Sequence, residues 1–156
     1  MLNEDYKELL RIFSENKVKY LVVGAYAMAA AGYPRATGDL DLWVEADANN
    51  SRNVYTALAL FGAPTSGIME TTFAQEGLVF QIGVAPRRID ILTKIDGIAF
   101  TEAFGNKEVI EIEGLSIPFL SVNDLIKNKL ATGRSKDQLG AEYLQNNKLF
   151  QNRNET

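Results

Sequence analysis

Apolar and polar positions alternate along the chain in blocks that change period, and each change marks an element. From Asn3 to Glu15, Leu9, Leu10, Ile12 and Phe13 recur on one face of a 3.6-residue repeat, which predicts a helix that Asn16 stops. Lys17 to Val23 reads KVKYLVV, a β-prone run without a periodic polar face, as expected of a strand in the middle of a sheet. Gly24 ends it, and AYAMAAAG follows as a short, closely packing helix closed by Gly32 and Pro34. Asp39 to Val44 alternates, with Leu40, Leu42 and Val44 on one face and Asp39, Asp41 and Trp43 on the other, so a strand with one wet face is expected.

Ala48 to Phe61 repeats the helical period through Val54, Ala57, Leu58 and Phe61, and Gly62-Ala63-Pro64 closes it. The stretch 65–75 reads as loop with some helical content. Val79 to Val84 and Arg88 to Ile95 predict two strands joined at Ala85-Pro86-Arg87, with Arg88, Asp90 and Leu92 sharing a face of the second. Glu108 to Ile112 and Leu115 to Leu120 predict a hairpin about Glu113-Gly114 whose polar face suits a solvated edge. Val122 to Ala131 and Lys136 to Asn146 predict two final helices around Thr132-Gly133-Arg134-Ser135. The order α-β-α-β-α-β-β-β-β-α-α implies an α/β (α+β) fold with a mixed sheet flanked by helices. One domain over 1–147 with a frayed tail at 148–156 is expected for a chain of 156 residues.

Composition narrows the chemistry. With 46% hydrophobic and 23% charged residues the chain reads as globular, and it carries no run of 18 apolar residues, so a cytoplasmic protein without a membrane partner is expected. Cysteine and histidine are both absent, which removes disulfides, thiolate nucleophiles, Cys-based zinc sites and the commonest general base. Net charge is −4, yet residues 121–156 hold 6 basic and 4 acidic side chains. An acidic protein is ill-suited to nonspecific duplex DNA binding, whereas a local basic patch can still hold one nucleotide.

Among the remaining side chains the carboxylates stand out. Asp39 and Asp41, two apart on a strand, converge on one face about 6.5–7 Å apart along it. Carboxylates so close repel, and protonation or a shared hard divalent cation such as Mg²⁺ relieves them. An Asp-x-Asp alone is more often a solvated face; here it follows a buried strand ending in Gly24 and a tight turn at 34–38, and Asp90 adds an apolar-flanked carboxylate on a later strand. Neither a Walker-type phosphate loop nor a Gly-x-Gly-x-x-Gly run is present.

Taken in order, VVGAYAMAAAG (22–32), PRATGDLDLWV (34–44) and RRIDIL (87–92) resemble the nucleotidyltransferase superfamily related to DNA polymerase β, with its hydrophobic strand, Gly-Gly or Gly-Ser helix start, Asp-x-Asp strand and later lone Asp. The tail KNKLATGRSKDQLGAEYL (127–144) is similar to the bacterial branch of AbiEii-type toxins and small standalone nucleotidyltransferases. The resemblance covers roughly residues 18–144 and rests on motif order and spacing. It implies a nucleotidyltransferase-like fold and transfer of a nucleoside monophosphate from an NTP to an acceptor hydroxyl or phosphate. Asp39 and Asp41 would bind Mg²⁺ (or Mn²⁺) against the triphosphate, and Asp90 would complete the second metal site and help deprotonate the acceptor. Gly24 would let helix-start amides approach phosphate. Ala25 departs from the family's Gly or Ser, so a hydroxyl contact is missing there.

Further nucleotide-binding candidates are Arg35 and Thr37, where an Arg could clamp phosphate, although a turn-stabilising role suits them equally. Lys129, Arg134 and Lys136 could line a triphosphate groove, or simply form a basic helix end; Asp137 fits a helix-dipole role. Trp43, Tyr26 and Tyr33 read first as packing. Two classes of function remain open: the enzyme, with an NTP and an acceptor as partners, and a catalytically weak binding module of a toxin–antitoxin or phage-defence pair, with a partner protein.

Overall fold

The first helix, α1 (Glu4–Glu15), starts where the backbone N–H of Tyr6 donates to Asn3 Oδ1 at 2.9 Å, and it buries Tyr6, Leu9, Leu10, Ile12 and Phe13. In the computed structural model, which describes residues 2–33 and 38–155 with side chains through residue 147, five further helices and six strands follow. The strand expected from Lys17 begins only at Tyr20, because Lys17 takes φ +57° in the turn out of α1. This strand, β1 (Tyr20–Val23), is buried at every position and lies between β2 (Leu40–Val44), antiparallel, and β6 (Leu115–Phe119), parallel. The all-apolar YLVV run follows from that central place.

Outward from β2 come β4 (Ile89–Leu92), parallel, and β3 (Val79–Ile82), antiparallel, while β5 (Glu108–Ile112) closes the other edge beside β6. The sheet order is β3-β4-β2-β1-β6-β5. Helices α2 (Gly24–Ala30), α3 (Ala48–Phe61), α4 (Phe100–Gly105), α5 (Val122–Ala131) and α6 (Ser135–Glu155) flank it, with a short 3-10 turn at Thr72–Ala74. Buried Asn50 locks α3 to the sheet: Lys19 N–H donates to its Oδ1 at 2.8 Å, and its Nδ2 donates to the carbonyls of Lys19 and Glu45 at 3.0 and 2.9 Å. Among the described residues no helix is long and apolar enough to cross a membrane.

Two expectations need correction. The face of β2 that carries Asp41 and Trp43 is wet only at its Asp41 end: Trp43 is 2% exposed and meets the ring of Phe100 edge-on at 5.1 Å. The cover is α4, a six-residue helix absent from the predicted order, whose Phe100 and Ala103 are buried. The last helix continues past Asn146 to Glu155, with no glycine or proline after Gly140 to stop it; the side chains of the predicted tail, 148–156, lie outside the described residues.

The entries to β2 and β4 are tied together. Tyr6 Oη donates to the Gly38 carbonyl at 2.7 Å, with the Arg88 carbonyl 3.3 Å away, and Leu40 N–H donates to that same Arg88 carbonyl at 2.9 Å. Burial pushes the Tyr6 hydroxyl up to about 12, aided by nearby Tyr26 and Asp39, so it remains a donor. Tyr6→Phe therefore removes one buried hydrogen bond and is expected to lower stability by about 1 kcal/mol. Urea unfolding checks this; an unchanged midpoint contradicts it.

Candidate functional site

Asp41 stands directly opposite Asp90 on the parallel neighbour and opposite Val23 on the antiparallel one. Cross-strand partners share a face, so the two carboxylates emerge side by side just beyond the end of β1. There Gly24 adopts φ +69°, and a Cβ at this position would lie 2.0 Å from Asp41 Oδ2. Glycine is thus required twice, for its backbone angle and for the space that the Asp41 carboxylate fills.

Asp39 joins them through Arg88. The Arg88 backbone N–H donates to Asp39 Oδ1 at 3.0 Å, and its Nη2 lies 3.4 Å from Asp39 Oδ2. From the same guanidinium, Nε donates to Asp90 Oδ1 at 2.8 Å and Nη2 to Asp90 Oδ2 at 3.2 Å. The charge of Arg88 offsets two of the three acids. Asp41 has no such partner among the described residues: burial, then the charge and hydrogen bond of Asp90 and the charge of Asp39, push its carboxyl up to about 7 against the weaker pull of Arg88.

These groups fit a divalent cation by their chemistry. The donors are all carboxylate oxygens, the set that Mg²⁺ and Mn²⁺ accept, and a buried acid driven toward its neutral form by neighbouring acids is relieved by added positive charge. With the side chains as they stand, no three acidic residues form a ready-made metal-holding group among the described residues.

A cleft of about 520 Å³ opens over this cluster. From the sheet side Gly24, Ala25, Asp39, Asp41, Arg88 and Asp90 line it; from the α5–α6 turn come Asn128, Lys129, Thr132, Arg134, Lys136 and Asp137. Asp137 is buried and does more than meet a helix dipole: Lys129 Nζ lies 3.3 Å from its Oδ1, while Thr132 Oγ1 and Arg134 Nε donate to its Oδ2 at 2.8 and 2.6 Å. Burial alone would raise its pKa, but the Thr132 bond and the charges of Lys129 and Arg134 outweigh it and hold the carboxyl below its ordinary value. Lys129, itself buried, is committed to this pair; Lys136 is exposed, with no ion pair among the described residues.

Eight of the residues singled out from sequence, Gly24, Ala25, Asp39, Asp41, Asp90, Lys129, Arg134 and Lys136, thus face one cleft. Arg35 and Thr37 lie outside the described residues. Trp43 is sealed under Phe100, Tyr26 packs edge-on against Tyr6, and Tyr33 against Tyr143. Arg88 is a site residue that no motif in the sequence marks; its place two before Asp90 is the available signal.

The fold is similar to that of the "putative nucleotidyltransferase" TM1012 of Thermotoga maritima, known from a crystal structure: TM-score 0.62 and 15% identity, over 94% of this chain and 96% of that one. The chain therefore has a nucleotidyltransferase-like mixed sheet flanked by helices. No protein-family model and no curated protein matches the sequence.

The state of Asp41 makes stability pH-dependent. With a folded value near 7 against 3.8 in the unfolded chain, the folded protein binds the extra proton between these limits. Its contribution is complete below pH 3.8 and is lost as pH rises to about 7, by on the order of a few kcal/mol in metal-free protein. Asp41→Asn is expected to flatten this part of the stability profile, measured by urea unfolding across the interval. A variant with the wild-type pH slope contradicts the assignment.

Proposed function

We propose that the chain is a metal-dependent nucleotidyltransferase that moves a nucleoside monophosphate from an NTP to a hydroxyl or phosphate on an RNA, protein or small-molecule acceptor. One observation carries the reading: Asp39 at the entry to β2, Asp41 on β2, Asp90 on β4 and the basic residues Lys129, Arg134 and Lys136 at the α5–α6 junction border the same cleft. The fold shared with TM1012, whose name is a nucleotidyltransferase's, supports it.

In this reading Asp39, Asp41 and Asp90 hold Mg²⁺ or Mn²⁺, which when bound supplies charge neutralisation on the phosphates and acidifies the attacking oxygen. Asp90 lies beside the acceptor hydroxyl and helps take its proton. Gly24 and Ala25, at the start of α2, bring backbone to the phosphates without bulky side chains. Lys136 and Arg134 offset phosphate charge, and Lys129 acts through Asp137 by fixing the turn that presents them. The 127–144 segment extends the proposal to the AbiEii-like bacterial branch.

A second reading, a nucleotide-binding module without transfer, draws on Ala25 and on the Arg88 guanidinium paired with two of the acids. Incubation of the protein with labelled NTPs, Mg²⁺ and cell extract separates the two. Label on an acceptor is expected with the wild type, and Asp41→Asn should cut its rate by at least about a hundredfold, the scale for losing one electrostatic element of a transfer site. Calorimetry should show Mg-NTP binding that the variant loses. Equal binding by both proteins, or by neither, removes the metal-site claim.

A further inference from the structure

Arg88 differs from the other cations of the cleft in how it is held. Lys129 and Arg134 converge on one buried carboxylate, Asp137, within a network that includes Thr132. The Arg88 side chain, one-third exposed, is held only by Asp39 and Asp90 among the described residues. It can leave them without opening the core. Its backbone N–H bond to Asp39 does not depend on the side chain and keeps that carboxylate in place when the guanidinium departs.

A guanidinium and a divalent ion compete for the same carboxylate oxygens, since both approach along the oxygen lone pairs and both are cationic. We propose that Arg88 is an exchange residue: it occupies Asp39 and Asp90 while no metal is present, yields them to the incoming ion, and turns its freed fork to the phosphates of the nucleotide. The proposal rests on the metal–nucleotide reading above. Its consequence is coupling. A metal ion entering alone must displace Arg88 into water, whereas one entering with a nucleotide gives Arg88 a new anion to grip in bidentate fashion. Nucleotide therefore strengthens metal binding beyond what direct metal–phosphate bonds contribute, and by linkage metal strengthens nucleotide binding equally.

The test titrates Mn²⁺ by calorimetry into wild type, Arg88→Ala and Arg88→Lys, with and without a nonhydrolysable NTP. Without nucleotide, Arg88→Ala should bind Mn²⁺ about tenfold more tightly than wild type, and the strengthening due to nucleotide should shrink by a similar factor, both ordinary sizes for coupled sites. Arg88→Lys keeps the charge but not the fork and should fall between them. Unchanged or weaker Mn²⁺ binding by Arg88→Ala overturns the proposal. Should that variant melt at lower temperature, Arg88→Lys decides, and Mn²⁺ affinity at or below wild type overturns it. Absence of labelled transfer by the wild type removes the enzymatic reading and leaves the Mn²⁺ comparison standing. Active transfer with unaltered Mn²⁺ affinity removes the exchange alone.

Discussion

Three carboxylates brought to one end of a sheet repel one another, and much of the local structure is arranged around that repulsion. The register of β2 with β4 sets Asp41 against Asp90, and the bonds of Arg88 to Asp39, one residue before β2, hold that third carboxylate beside them. One acid is offset by sharing Arg88, a second by the other arm of the same guanidinium, and the third, Asp41, by moving toward its neutral form. An apolar sheet has no stabilising use for such a cluster. The proposed cation and nucleotide site gives it one.

The surrounding elements hold this cluster in place from outside. Tyr6 reaches from α1 to the backbone just before Asp39, tying the first helix to the segment that delivers the carboxylates. Gly24 keeps clear the volume that Asp41 occupies. On the far side of the cleft, Asp137 gathers Lys129, Thr132 and Arg134, so that the α5–α6 turn is shaped by a buried ion pair whose partners lie close in sequence. Breaking such a pair on one side leaves an uncompensated buried charge, which is why the turn and the cleft it borders are fixed together.

Much of this was legible in the order of residues. Helices α1, α3 and α5 carry period and caps together, and the side-chain caps of Asn3, Asp47 and Ser121 lie at their starts. The shared face of Asp39 and Asp41 follows from strand parity, and the placement of Asp90 beside them required only that two strands be neighbours. What escaped detection depends on tertiary contact. The strand face around Trp43 looked wet because its cover, Phe100, comes from a helix too short to show a period. Asp137 looked like a dipole partner because its commitment to Lys129 appears only once α5 and α6 fold against each other. Arg88 sat in plain view on the same face as Asp90, but nothing in a linear pattern shows that one side chain spans two acids.

On the proposed reading Asp39, Asp41 and Asp90 form a cation site serving bound nucleotide. Its most direct test is the anomalous scattering of crystals grown with Mn²⁺ and a nonhydrolysable NTP. Mn²⁺ is expected within about 2.0–2.5 Å of oxygens from these three side chains and of the phosphates. Mn²⁺ bound at other carboxylates, with Asp39, Asp41 and Asp90 left without it, rules the cation site out.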